Sequence, residues 1–468
     1  MATYRSDIIP KVQVRTGAMD ELDVESICLF ISLGFFPDDR TYFRGLHQHR
    51  AASVTVTDDD GRILSSVPHF DWHYSPRDIP FRQAVDEFTE LFESLVSETS
   101  AEGYTIPVSG GLDSRTLVAA CHHLGIPFKG YAYSFRNGID ENRFGREMSK
   151  RLHFPFQEFV IERGTLWDYV DRLAETNGCY AEFTHARQYS VFDHLRALGG
   201  RFLLGHAGDI FFDGLGLPDS MSEEQQMEYV WKKYVKESGY ALASSLWRQW
   251  GCSGEFREFL FETLRTALRS IHIDHPTARL RAFKITTYFN RFSCTNIGIF
   301  RQFGENTLPY CDDRLVKFIC TVPEKWLDAR LIQIEYLKRR SRELASVTWQ
   351  DHRPFNLYNY QYDRPPLNYP YRAYRKLVRM MTKEDTVRRN WELQFLGADN
   401  ASRLREHLSK DGALSELLSN DTVEGVLTAF EKEDSVRNYH ALTMLVTLAS
   451  FMRRRKGGVA AATAAAFS

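Results

Sequence analysis

Between residues 103 and 215 the chain alternates strand-like and helix-like stretches, an order that few folds accept. Residues 106–108, 129–135, 156–161 and 201–204 read as strands, and 112–124 and 142–152 as helices by their apolar spacing. Strands separated by helices favour a parallel sheet with helices packed on its faces. The expected class is therefore α/β, with ligands gathered beyond the carboxyl ends of the strands. Residues 1–80 read as a small strand-rich module. In it the alternation of Ala52-Ser53-Val54-Thr55-Val56-Thr57 leads through an acidic turn into Ile63-Leu64, the pattern of a hairpin. Helical spacing over 81–98 leads into the alternating region, and 225–456 is mainly helical, interrupted by aromatic and proline-rich connections. The expected divisions are 1–80, 81–456 and a flexible tail over 457–468.

The first strand-to-helix join reads Val108-Ser109-Gly110-Gly111-Leu112-Asp113-Ser114. Glycines let backbone approach phosphate oxygens, and the unpaired amides at a helix start turn the positive end of the dipole toward them. Ser109 and Ser114 add hydroxyls. A carboxylate such as Asp113 repels a polyphosphate unless a magnesium ion stands between them. The glycine spacing and the absent lysine separate this loop from the Gly-x-x-x-x-Gly-Lys-Ser/Thr kind. It suits a grip on pyrophosphate, with attack at the α-phosphorus of ATP. A bare glycine pair before Asp-Ser also serves as a plain helix entry; the strand before it and the periodic helix after it favour the anion site.

A second cluster, Leu203-Leu204-Gly205-His206-Ala207-Gly208-Asp209, follows the last strand-like stretch. Its small residues permit a close turn, and Asp209 is suited to join Asp113 around magnesium. Read alone, it is equally a glycine-rich surface turn with solvated acids. Together the two clusters imply a substrate carboxylate attacking ATP, followed by an amine attacking the resulting acyl-adenylate.

With those residues assembled, the chain resembles the synthetase domain of the asparagine synthetase and beta-lactam synthetase family. The resemblance rests on Val108 to Arg115, on Ala132-Tyr133-Ser134-Phe135, on the run from Asp140 to Arg146, on Gly205 to Gly214, and on Leu308-Pro309-Tyr310-Cys311-Asp312-Asp313-Arg314. It implies an adenine nucleotide alpha hydrolase-like fold, ATP and Mg2+ as ligands, and amide formation. It also implies nucleotide contacts at Val108, Ser109, Gly110, Gly111, Asp113, Ser114, Ser134 and Gly205, with metal binding at Asp113 and Asp209. His206 falls where relatives carry a residue that helps deprotonate the attacking amine, and an imidazole can exchange a proton near neutral pH. A buried structural histidine or a phosphate-facing cation is an equal alternative. The family lysine that stabilises developing negative charge aligns near Asp351-His352-Arg353-Pro354-Phe355, making Arg353 and His352 its candidate replacements; an ordinary salt bridge accounts for either equally well. Lys338 is a further candidate.

Relatives that take ammonia from glutamine expose a cysteine after the initiator methionine; here position 2 is Ala2, and residues 1–80 resemble only the end of such a glutaminase domain. The expected nucleophile is therefore a substrate amine, within the same molecule or separate, or ammonia, free or supplied by a partner protein. Lys plus Arg number 59 against 61 Asp plus Glu, a net charge of −2, which gives no general affinity for nucleic acid. The seven scattered cysteines suit buried thiols in a reducing compartment, and no apolar stretch is long enough to span a membrane, so a cytoplasmic location is expected. The competing readings are ammonia-dependent amidation of a small acid or sugar acid, a tRNA-modifying adenylating enzyme, and a noncatalytic nucleotide-binding scaffold. The sequence sets neither the oligomeric state nor the acid.

Overall fold

The computed structural model describes residues 1–457, apart from 101, 137, 139, 184–186, 216, 219 and 383–391. The tail expected beyond 457 lies outside the described residues. In the N-terminal stretch, β1 (Ala2–Arg5), β4 (Ser53–Thr57) and β5 (Ile63–Pro68) form an antiparallel sheet, and β2 (Arg15–Gly17) pairs with β3 (Leu46–Gln48). The expected hairpin is β4–β5, with Val54 opposite Val67. Between β2 and β3 lies α1 (Val24–Leu33), capped by Asp23 and buried along most of its length. The carbonyl of Ile31 in this helix accepts a hydrogen bond from His440 Nε2 at 3.0 Å, and Tyr42 stacks on Phe451 at 3.8 Å. One hydrophobic cluster thus runs from the N-terminal strands into the last helix, Ser435–Lys456.

The chain then enters α2 (Phe81–Ser97), whose buried face carries Val85, Phe88, Phe92 and Leu95. The alternating region follows as β6 (Tyr104–Pro107), α3 (Leu112–Leu124), β7 (Phe128–Phe135), α4 (Asn142–Leu152) and β8 (Phe156–Ile161). After these come α5 (Leu166–Asn177), α6 (Phe192–Leu198), β9 (Arg201–Leu203) and α7 (Gly208–Phe212). With β10 (Glu305–Thr307) they make a five-stranded parallel sheet in the order β10-β9-β6-β7-β8. From β6 the chain steps outward to β7 and β8, then returns to the other side for β9. The direction of winding reverses between β6 and β9, and such a reversal opens a crevice at the carboxyl ends of the two strands.

Beyond α7 the described residues are mainly helical, as expected. Short 3-10 turns interrupt the α-helices, and Lys284–Ser293 is a π-helix, continuing from the helix Pro276–Phe283. The seven cysteines are free thiols, six buried and Cys252 partly exposed. Among the described residues, no helix is long and apolar enough to cross a membrane.

Candidate active site

Two turns leave the sheet at the reversal point. In the first, Ser114 Oγ accepts the Ser109 N–H at 3.0 Å and lies 3.2 Å from Ser109 Oγ, while the Gly111 N–H donates to Ser109 Oγ at 3.3 Å. The loop is held from behind by Arg115, fully buried, whose guanidinium donates to the carbonyls of Gly110, Leu344, Val347 and Thr348. Burial lowers its pKa to about 10, which leaves it charged at neutral pH. The Gln350 N–H reaches the Gly110 carbonyl at 3.2 Å, and any side chain at position 110 would meet Gln350 and the Phe144 ring at 2.5 Å. Glycine at 110 is thus a condition of the loop's packing.

The second turn, from β9 into α7, is tightened by Ala207 at φ 76°. Gly208 then passes so close to Asp113 that a Cβ would sit 2.3 Å from its Oδ1. That approach lets the Asp209 N–H donate to Asp113 Oδ2 at 3.1 Å, so two acids 96 residues apart converge. On its other oxygen Asp113 is met by Arg330 Nη1 at 2.7 Å and Gln333 Nε2 at 3.0 Å. Burial and the Asp209 charge raise the Asp113 pKa against the pull of Arg330 and Gln333. Arg330 is itself buried, which disfavours its charge, yet Asp113 and Asp209 hold its pKa above the ordinary value. Lys284 Nζ stands 3.5 Å from Asp209 Oδ2.

Between the turns lies a cavity of about 490 Å³, within the usual range for small-molecule sites. Val108, Ser109, Asp113, Ser114, Gly205, His206 and Asp209 all line it. His206 is edge-on to Phe300 at 6.0 Å, and its buried Nδ1 has no hydrogen-bond partner among the described residues. Burial lowers its pKa to about 4, against a smaller opposing effect of Asp209, so the ring is neutral near pH 7. Gly110 and Gly111 build the loop without lining the cavity, and Ser134 sits on β7 outside the lining.

His352 and Arg353 are elsewhere. His352 Nδ1 lies 3.0 Å from Asp363 and its ring packs on Trp349 at 4.3 Å, while Arg353 Nε donates to the Gln350 carbonyl and its guanidinium lies over Phe144. This segment supports the loop from behind through Gln350 and does not line the cavity. Lys338 lies over the Tyr358 ring. The charged groups at the acids are instead Arg330, Gln333's amide partner in the same cluster, and Lys284, and sequence reasoning singled out none of them. Arg330 reaches Asp113 because Ala329 and Arg330 both take left-handed backbone, φ 50° and 61°, a turn that non-glycine residues do not announce.

Magnesium typically takes one or two carboxylates, substrate phosphate oxygens and several waters, without a cage of protein ligands. The described residues contain no group of three or more His, Cys, Asp or Glu that could hold a metal, but the paired Asp113 and Asp209 beside two serine hydroxyls fit that mixed coordination. Comparison with curated proteins finds no match. The asparagine synthase family model matches residues 99–345, from just before β6 through the helix Leu331–Arg340 that carries Gln333. That span is just over half of the sequence, and the chain belongs to the asparagine synthase family of ATP pyrophosphatases, whose members generally activate a carboxylate with ATP and couple it to an amine.

Proposed function

We propose that this chain is an AMP-forming carbon–nitrogen ligase. In the first step an oxygen of the substrate carboxylate forms a bond to the α-phosphorus of ATP. The bond to the β-phosphate oxygen breaks, and pyrophosphate leaves with the electron pair. In the second, an amine nitrogen bonds to the acyl carbon, AMP departs with its oxygen, and the nitrogen loses a proton. The amine belongs either to the same molecule, closing a ring, or to a second one.

The hydroxyls of Ser109 and Ser114, at the cavity wall, are suited to hold the phosphates. Asp113 and Asp209 would hold magnesium, which when bound supplies positive charge to the oxygens of the departing pyrophosphate. Arg330, outside the cavity lining, pairs with Asp113 and balances its charge. His206 lines the cavity and keeps Nδ1 unpartnered, so that nitrogen is placed to take the proton of the amine. The observation that carries this reading is the bond from the Asp209 backbone to the Asp113 carboxylate, at the wall of one cavity shared with the serine loop.

The test is magnesium-dependent exchange of labelled pyrophosphate into ATP, driven by a panel of carboxylic acids. Acid-dependent exchange with release of AMP is the expected result; nucleotide binding without acid-dependent exchange from any member would overturn it. Product mass separates the two kinds of amide, since ring closure loses water while amidation with ammonia adds nitrogen.

A further inference from the structure

The cavity has two unlike walls. On one side stand the end of β6 and the middle of β7, with Pro107, Val108, Tyr131 and Ala132; on the other stands the π-helix, with Lys284, Tyr288, Phe289 and Phe292, backed by Phe300. A π-helix closes i→i+5 hydrogen bonds, and such segments recur at functional sites. The wider turn brings Lys284, Tyr288 and Phe292, spaced by four residues, to the same cavity wall, and Asn296 of the following helix Cys294–Gly298 continues it.

The aromatic wall is fixed before any ligand enters. Tyr288 and Phe292 stack at 5.1 Å with 25° between their planes, and Phe35 of the N-terminal stretch meets Tyr288 edge-on at 5.5 Å. Phe289, Phe292 and Phe300 are each buried to within a few per cent of full coverage. At the near end of this wall Lys284 extends its ammonium toward Asp209. The wall that carries an ammonium suits the acid, since a neutral adenine gains little from a cation while a carboxylate gains a charge-assisted hydrogen bond.

We infer that the acid activated by this chain is an aryl carboxylic acid, its ring stacked against Tyr288, with Phe292 and Phe300 backing that ring, and its carboxylate received by Lys284. The inference rests on the adenylation reading above and names its substrate class. Offset and edge-on ring contacts supply affinity for a planar body beyond simple area burial. A compact aliphatic acid leaves the same wall unfilled.

Pyrophosphate exchange with the full chain compares phenylacetate, 3-phenylpropionate and cinnamate with propionate, succinate and aspartate. The aryl acids should exceed the aliphatic ones in kcat/KM by about tenfold or more, the discrimination that a shaped apolar pocket provides. Tyr288→Ala and Phe292→Ala should raise KM for the best aryl acid by about tenfold while the Kd for ATP stays within about twofold. Phe292→Leu keeps the volume and removes the ring, and serves where the alanine variant does not fold. Lys284→Met should raise KM for the aryl acid by a larger factor than it raises the Kd for ATP. Exchange driven by aliphatic acids with the aryl acids inert would overturn the aromatic assignment and leave adenylation standing. Loss of ATP affinity in Tyr288→Ala or Phe292→Leu would place the adenine on this wall and likewise overturn it. Absence of exchange from every acid, with ATP bound, would remove both readings.

Discussion

Asp113 and Asp209 do different structural work although both face the cavity. Asp113 anchors Arg330 and Gln333, so its neutralisation disturbs packing as well as chemistry; Asp209 keeps an exposed carboxylate, and its contact with Asp113 is made by the backbone. Asp209→Asn is therefore the cleaner variant. It should lower pyrophosphate exchange by about 100-fold while moving the unfolding free energy by less than about 0.5 kcal/mol. Asp113→Asn should lose as much exchange and in addition destabilise by about 1–2 kcal/mol. An Asp209→Asn protein that exchanges at the parent rate would remove the metal assignment. His206 is expected to act only after the adenylate exists. His206→Ala should keep exchange near the parent level and slow amide formation by about 100-fold, the usual contribution of a positioned base. Equal amide yields from His206→Ala and the parent would end that role. The loop, both acids and His206 were legible because each is a residue type with a chemical reason to stand beside polyphosphate or amine. Arg330 was not, since its reach depends on two left-handed backbone angles that Ala329 and Arg330 give no sign of.

At the scale of elements, legibility follows periodicity. α3, α4 and β8 begin and end where their spacing placed them, and α2 and β7 shift by a single residue. β10 escaped because Glu305-Asn306-Thr307 is three polar residues long and becomes a strand only by pairing with β9. α1 escaped for the opposite reason: it is apolar nearly all round, so no polar face marks its period. The π-helix has a sequence too short to distinguish a wider turn from an α one. Arg115 joins these elements at the site. It stands in α3, yet its bonds reach both the loop before that helix and the segment after Arg342–Ala345. Arg115→Met keeps the buried stem and takes a donor from four carbonyls, of which Gly110 keeps the Gln350 N–H and Leu344 the Val347 N–H. The loss should be about 3 kcal/mol or more in denaturant unfolding, with exchange falling as the loop loses its support. A change below about 1 kcal/mol would mean that the carbonyls find other partners.

The molecule as a whole is closed by histidines far from the cavity. His440 links the last helix to α1 through the Ile31 carbonyl, and Gly239 approaches so closely that a Cβ would lie 2.6 Å from the His440 ring. His407 lies against the same last helix, within 3.1 Å of Ser450 Oγ and in contact with Arg453. Burial pushes both rings from 6.5 down to about 3, with Arg453 adding to the effect at His407 and the Ile31 carbonyl opposing it at His440. About a pH unit or more above 6.5 both rings are neutral folded and unfolded, and contribute almost no slope. As pH falls below 6.5 toward about 3, the unfolded chain takes up protons that the folded chain refuses, so stability falls with acidification. Each histidine approaches a slope of about 1.4 kcal/mol per pH unit within that window. Urea unfolding at pH 7.5, 6, 5 and 4.5, which covers the upper part of that window, should give a midpoint that is steady at the top and declines below about 6. His440→Gln keeps a donor for the Ile31 carbonyl but cannot titrate. Its curve should decline less steeply by one histidine's share, whatever its stability at pH 7.5. If parent and variant decline in parallel, the acid sensitivity lies in other groups, and the junction between the first and last helices does not set how the molecule responds to pH.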